Sequence, residues 1–220
     1  VIKLYGYNWR PVIRHVTIRN APQYGIAFTS TTSQYTYEAV LLDIDIGGSN
    51  LDGLSVDWCA ALWGADVYSA NNAGYGAAFW NATGGIIHHL HVYNNYGAAG
   101  AYVTQYASDL RLVNAFFDTN QQNGVVINGT RITLAECYAF NNGVSSANSY
   151  DGIVIQNATH NVVIGCYAVD LQSTHTQRYG INETGTSNYN MITNNIAYGN
   201  VTGQITTVGT NSVVANNITS

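Results

Sequence analysis

Charge is what this 220-residue chain has least of: Asp, Glu, Lys and Arg together make up 9%, against roughly 25% in ordinary soluble domains. So little charge suggests a membrane protein or a disordered tail, and other absences exclude both. The longest apolar runs, such as Val125-Val126-Ile127 and Val162-Val163-Ile164, fall far short of the ~20 residues of a spanning helix. A hydrophobic fraction of 46%, with 17 Tyr and 4 Trp, is too apolar for disorder. Lys3 is the single lysine and the formal charge is -5, so the basic footprint that nucleic acid needs is missing. Three cysteines are too few for a disulfide framework and leave at least one unpaired. No signal peptide or targeting segment is visible, and nothing marks a second domain. The chain opens on strand-like sequence, and 1–220 is read as one domain, a fragment or processed piece of a longer chain.

Asn, Thr, Ser and Gly stand where the charge would be, with only two Pro, and few segments carry a helical period. A glycine recurs just before a short apolar strand, first as Tyr24-Gly25-Ile26-Ala27-Phe28, then Asp52-Gly53-Leu54-Ser55-Val56. It returns at Gly76, Gly100, Gly124, Gly152, Gly180 and Gly203, with spacings of 28, 23, 24, 24, 28, 28 and 23. Such a period signals a solenoid, because one unit cannot bury its own apolar face. A leucine-rich repeat would need regular Leu. A propeller blade would be longer, about 40 residues, with repeated hairpin turns.

A second strand precedes each glycine strand, as in Asp43-Ile44-Asp45-Ile46, His89-Leu90-His91-Val92 and Gly165-Cys166-Tyr167-Ala168. It is usually followed by Asn or Asp: Asn20, Asn71, Asn94, Asn120, Asn141, Asp170, Asn200. Such a residue can occupy a corner and pass its amide to the next coil. The expected fold is all-β: a right-handed parallel β-helix of about eight coils.

The stretches Asn148-Ser149-Tyr150-Asp151-Gly152-Ile153-Val154-Ile155, Asn161-Val162-Val163-Ile164, Gln177-Arg178-Tyr179-Gly180-Ile181 and Asn194-Asn195-Ile196 resemble the pectate-lyase-like right-handed β-helix superfamily. The resemblance spans nearly the whole chain and implies a secreted or cell-surface protein handling polysaccharide. It is one of architecture: the calcium-binding Asp with Arg or Lys of pectate lyases, and the paired Asp of polygalacturonases, have no match here.

Aligning the repeats also aligns surfaces, since neighbouring rungs lie about 4.8 Å apart. With Val67, Leu90, Ala115, Cys137 and Cys166 inward, the residues before them form an outward row: Asp43, Asp66, His89, Asn114, Glu136, Gly165. Two positions on, Asp45, Tyr68, His91, Phe116, Tyr138 and Tyr167 form a second. Asp43, Asp45, Asp66, His89, His91 and Glu136 are the candidate catalytic groups. Their carboxylates, roughly 5–10 Å apart on neighbouring coils, span the separations glycosidases use, and an imidazole or Glu136 suits the base of an elimination or epimerisation. Tyr68, Asn114, Phe116, Tyr138 and Tyr167 are the candidate sugar contacts. Outward Asp, His and Tyr are equally ordinary solvation, and a slip of one residue would invert inside and outside.

His88-His89-Leu90-His91 offers at most two imidazoles on one face, which Asp66 could complete to three; structural zinc sites take four protein ligands and catalytic ones three. No cofactor is required. Calcium is the ion the resemblance suggests, with Asp43, Asp45 and Asp66 supplying oxygens. Cys137 and Cys166 read as stacked core thiols. Asn81, Asn128, Asn157, Asn182, Asn200 and Asn217 begin Asn-x-Thr sequences, glycan acceptors in some secreted proteins and equally the turn residues of an Asn-rich chain. The outward positions Ala27, Ser55, Ala78, Tyr102, Val126 and Val154 form an apolar row suited to homo-oligomeric or lateral assembly.

Two functions are compatible with these features. One is a carbohydrate-active protein that binds or processes a polysaccharide, of lyase, glycoside hydrolase or epimerase type. The other is a non-catalytic shaft such as an adhesin, viral tailspike or surface filament component. Clustered acids, histidines and aromatics favour the first. The scatter of Arg111, Arg131 and Arg178 over separate coils counts against it.

Overall fold

The glycine-marked segments pair with one another rather than with their sequence neighbours. In the computed structural model, which describes residues 1–219, they form one parallel sheet. Its strands, in spatial and chain order, are Ile2–Tyr5, Ile26–Thr29, Leu54–Asp57, Ala77–Phe79, Ala99–Val103, Asn123–Ile127, Ile153–Gln156, Tyr179–Thr184 and Gly203–Thr206. The chain winds through about nine turns of a right-handed parallel β-solenoid, with no helix among the described residues. Counting glycines gives eight because the first rung has none: Ile2 pairs with Ile26, which sets Val1 beside Gly25. At the other end Tyr179 pairs with Gly203, so Gln204 and not Gly203 stands beside Gly180.

The remaining strands form a second, bent sheet. Cys59–Ala70 and Ala82–Tyr93 run through the bend unbroken, whereas later turns split, as in Thr133–Ala135 with Tyr138–Phe140. One column makes the bend: His15, Asp43, Asp66, His89, Asn114, Glu136, Asn194 and Asn216 have φ of 52–57°, and Gly165 has 65°. Left-handed backbone costs most residues roughly 1–2 kcal/mol, and Asn, Asp and His visit it most readily. Backbone conformation therefore favours the residue types found in this row, whatever chemistry they do.

The glycine column exists to make room. A Cβ on Gly53 would lie 2.7 Å from Asn72 Nδ2, on Gly76 2.6 Å from Asn95 Nδ2, on Gly100 2.4 Å from Asn120 Nδ2, and on Gly124 2.7 Å from Asn142 Nδ2. These amides form a buried ladder. Asn72 Nδ2 donates to Asn95 Oδ1 at 2.9 Å, Asn95 to Asn120 at 3.1 Å, and Asn120 to Asn142 at 3.1 Å. Asn142 donates to Gln177 Oε1 at 3.1 Å, and Gln177 to Asn200 Oδ1 at 2.7 Å. Gln204, standing where a glycine would, closes the series by accepting from Asn200 Nδ2 at 2.7 Å. The Oδ1 atoms of Asn95, Asn120 and Asn142 each also take a backbone N–H, from Asn72, Asn95 and Asn120 respectively.

The corner assignment from sequence is corrected here. Asn20, Asn71, Asn94 and Asn141 are left-handed corner residues, and Asn94 Nδ2 donates to Asn71 Oδ1 at 2.6 Å at the surface; the buried ladder runs through the positions after the last three, Asn72, Asn95 and Asn142, with Asn120 and Asn200 assigned correctly. Asp170 instead accepts from Gln172, Thr176 and Gln177 N–H groups, folding a loop that delivers Gln177 to the ladder.

Inward ladders fill the core. Ile26, Leu54, Ala77, Ala101, Val125, Ile153 and Ile181 form one, all fully buried. Beside it, Phe28, Val56, Phe79, Val103, Ile127 and Ile155 lead to Glu183, which is 1% exposed. Its carboxylate accepts from Asn190 Nδ2 at 2.8 Å, Gly209 N at 3.0 Å, Ser212 Oγ and Thr207 Oγ1. Burial alone would raise its pKa; the four donors outweigh it and hold the carboxyl below the usual glutamate value. The stabilisation is therefore full above the unfolded glutamate pKa of about 4.3 and is lost as pH falls through the lower folded value. The protection of residues 203–219 against hydrogen exchange, relative to the unfolded chain at the same pH, is expected to fall on acidification, and Glu183→Gln to show low protection already at neutral pH. Equal, pH-independent protection in both proteins would refute this.

Candidate functional site

Outward positions on the glycine sheet are not the exposed stripe that alternation suggests. Ala27, Ser55, Ala78, Val126 and Val154 are at most 6% exposed. Tyr75 and Tyr102 pack over Ala99, Val126 and Val154, and Trp80 Nε1 donates to Ser55 Oγ at 3.1 Å. The row is therefore not the exposed apolar stripe expected from sequence: apart from half-buried Tyr102, the chain covers it itself.

Along the same face lies a groove made of two adjoining depressions, of about 390 and 290 Å³, that share Asp57 and Trp80. Register brings those two together. Val56 pairs with Phe79, so Asp57 and Trp80 face each other on neighbouring rungs where the glycine strands end. Tyr75 and Tyr102 stack with centroids 5.0 Å apart and planes at 10°, and Trp80 meets both edge-on at 6.1 and 5.9 Å. Asn81 Nδ2 donates to Asp57 Oδ1 at 2.7 Å, and Asn128 Nδ2 to Tyr102 Oη at 3.1 Å. Thr104, Gln105 and Tyr106 continue the wall on one side, and Tyr24, Thr29 and Ser30 on the other. The lining holds one carboxylate and no Lys, Arg or His.

The strip on the bent sheet has the register expected of it. Asp45, Tyr68, His91, Phe116, Tyr138 and Tyr167 pair in series, and Asp43, Asp66, His89, Asn114, Glu136 and Gly165 occupy the bend before them. Its charged groups, exposed Glu136 excepted, are already engaged. Asp43 meets His15 Nδ1 at 2.8 Å, Asp66 meets His89 Nδ1 at 2.8 Å, His91 Nε2 meets Asp118 at 2.6 Å, and Arg19 holds Asp45. Asp43, Asp45 and Asp66 thus turn to separate partners instead of converging as calcium ligands. Among the described residues no three His, Cys, Asp or Glu side chains group to hold a metal. Phe116, Tyr138 and Tyr167 stack face to face at 4.8 and 5.0 Å with planes within 6°. Tyr68 lies between His89 and His91, 5.4 and 5.8 Å from their rings. The stacked rings spend their faces on one another and offer the solvent mainly edges.

Residues 2–148 match the family described as the right handed beta helix region. The chain belongs to that family. No curated protein matches this right-handed β-helix in sequence, but solved structures share its fold. The A-module of a mannuronan C-5 epimerase of Azotobacter vinelandii superposes with a TM-score of 0.73 at 16% identity, over 96% of this chain and 65% of that one. The enzymatically active domain of a bacteriophage CBA120 tailspike protein gives 0.68 at 12%, over 83% and 28%. A pectate lyase gives 0.59 at 14%, over 96% and 69%. The chain thus spans just under two thirds of the epimerase module. At these identities the likeness is one of fold.

Within the β-helix the six Asn-x-Thr asparagines are unequal. Asn200 and Asn217 belong to buried or half-buried amide ladders, and Asn182 donates to buried Asp151 at 2.8 Å. Asn81 and Asn128 use their amides on Asp57 and Tyr102. Asn157, exposed at a left-handed corner, accepts through Oδ1 from Thr186 N. A glycan on Asn182, Asn200 or Asn217 would require opening the packed coil.

Cys59, Cys137 and Cys166 are free and buried, and burial pushes the Cys59 thiol up to about 12. Cys137 and Cys166 stack on neighbouring rungs and donate to Leu112 and Leu134 carbonyls. Sequence reasoning missed Asp57, Trp80, Tyr24 and Tyr106. The missing signal was the fourth position after each glycine, where Thr29, Asp57, Trp80 and Thr104 align.

Proposed function

We propose that this β-helix protein binds a polysaccharide, at or beyond the cell surface, in the groove over its glycine sheet. The carrying observation is the Trp80–Tyr102–Asp57 wall: aromatic surface and a few convergent polar groups in one concave site. Pyranose C–H faces pack on aromatic rings, while Asn81, Thr104, Gln105 and Asp57 can exchange hydrogen bonds with hydroxyl groups. The fold shared with an epimerase, a pectate lyase and a tailspike domain supports the substrate class. The groove is favoured over the strip because its polar groups and rings line an open concavity. Glycosidases use two carboxylates roughly 5–10 Å apart; Asp57 stands alone in the lining, and the reading stops at binding.

The test is titration calorimetry of the intact protein against soluble polysaccharides. Removing Trp80, a site-central aromatic, is expected to weaken binding at least about 30-fold. Tyr106→Ala, at a 66% exposed position clear of the core, should weaken it with the melting temperature unchanged. Tyr138→Ala on the opposite sheet should leave it intact. Binding lost in Tyr138→Ala and retained in Trp80→Ala would overturn the proposal.

A further inference from the structure

With the groove as the binding site, a condition that rests on the proposal above, we infer that it takes uncharged sugar units and discriminates against polyuronates. Its lining contains one acid, Asp57, and no base. Two cations belong to the same face of the glycine sheet, and both are engaged. Lys3, on the first rung, donates to Gln23 Oε1 at 2.7 Å. Arg178, several rungs along, forks onto Asp151 with bonds of 2.8 and 2.7 Å. Asp151 is 1% exposed, so withdrawing Arg178 to meet a ligand would leave a buried carboxylate without its counter-charge, held only by Asn182 Nδ2 and the Tyr179 N–H.

A polyuronate brings one negative charge with every sugar. Each carboxylate entering the groove would shed water, find no cation, and near Asp57 meet a like charge. Asn81, Gln105, Thr104, Thr29 and Ser30 offer amides and hydroxyls, which both donate to and accept from sugar hydroxyls. The chain's net charge of -5 adds a long-range penalty that salt screens.

The experiment is calorimetry with neutral probes (a β-glucan, a galactomannan and a xylan) and acidic ones (polygalacturonate and alginate). It is run at low and high salt, on the wild type, Trp80→Ala and Asp57→Asn. At low salt a neutral polymer is expected to bind at least about tenfold tighter than either polyuronate. Asp57→Asn should narrow that gap, and added salt should narrow it too. A polyuronate that binds as tightly as any neutral polymer, with binding abolished in Trp80→Ala, would overturn the selectivity and keep the groove. Binding indifferent to Trp80→Ala, or no binding of any probe, would remove the groove and the selectivity together.

Discussion

Gly124→Ala is expected to cost about 3 kcal/mol or more and to lower the melting temperature by roughly 10 °C, although it adds a single methyl group. The added Cβ would sit 2.5 Å from Gly152 O and 2.7 Å from Asn142 Nδ2. Neither neighbour can yield cheaply. The carbonyl accepts the Val125 N–H at 2.9 Å in the sheet, and the Asn142 amide is tied to Phe117 O at 2.8 Å and Gln177 Oε1 at 3.1 Å. By contrast Gly203→Ala, one place off the glycine column, would bring its Cβ no closer than 3.1 Å, to a carbon of the Tyr179 ring, and is expected to cost far less. Thermal melts of the two variants side by side check this; similar losses would mean that the column is a turn preference and not a clearance.

The second large effect is Asn120→Leu, nearly equal in volume and fully apolar, at a completely buried position. The change would strip Asn95 N–H and Asn95 Nδ2 of an acceptor, and Val92 O and Asn142 Oδ1 of a donor. Stranded buried polar groups cost about 1–3 kcal/mol each, and partial sharing within the ladder brings the expected total to about 4 kcal/mol. Asn94→Ala is the matched control. Asn94 is a left-handed corner with φ of 50° and a half-exposed side chain whose bonds to Asn71 and Gln121 water can replace, so its loss is expected to cost about 1–2 kcal/mol. Denaturant midpoints separate the two, and a corner variant as damaging as the ladder variant would contradict the division of roles.

These doublets also show where sequence ran out. Asn71-Asn72, Asn94-Asn95 and Asn141-Asn142 each place a corner residue and a ladder residue side by side. Both jobs suit asparagine, so spacing alone cannot say which amide points inward. The glycine column was legible because clearance admits a single residue type, and the bent sheet's outward rows because Cys137-Tyr138 and Cys166-Tyr167 repeat in step. The groove was hidden for a geometric reason. Strand alternation marks Val126 and Val154 as outward, but it cannot show Tyr75 and Tyr102 folding back over them. Nor does it show that the wall is completed by Thr104, Gln105 and Tyr106, just beyond a strand end.

Hydrogen exchange with and without a bound neutral polysaccharide locates the occupied face most directly. Slower exchange at Ala77–Phe79, Trp80, Asn81 and residues 99–106, with no change on the opposite sheet, is the result expected if sugar lies between Trp80 and Tyr106. Protection confined to Phe116–Asp118, Tyr138–Phe140 and Tyr167–Val169 would place the ligand on the stacked rings instead and contradict the groove.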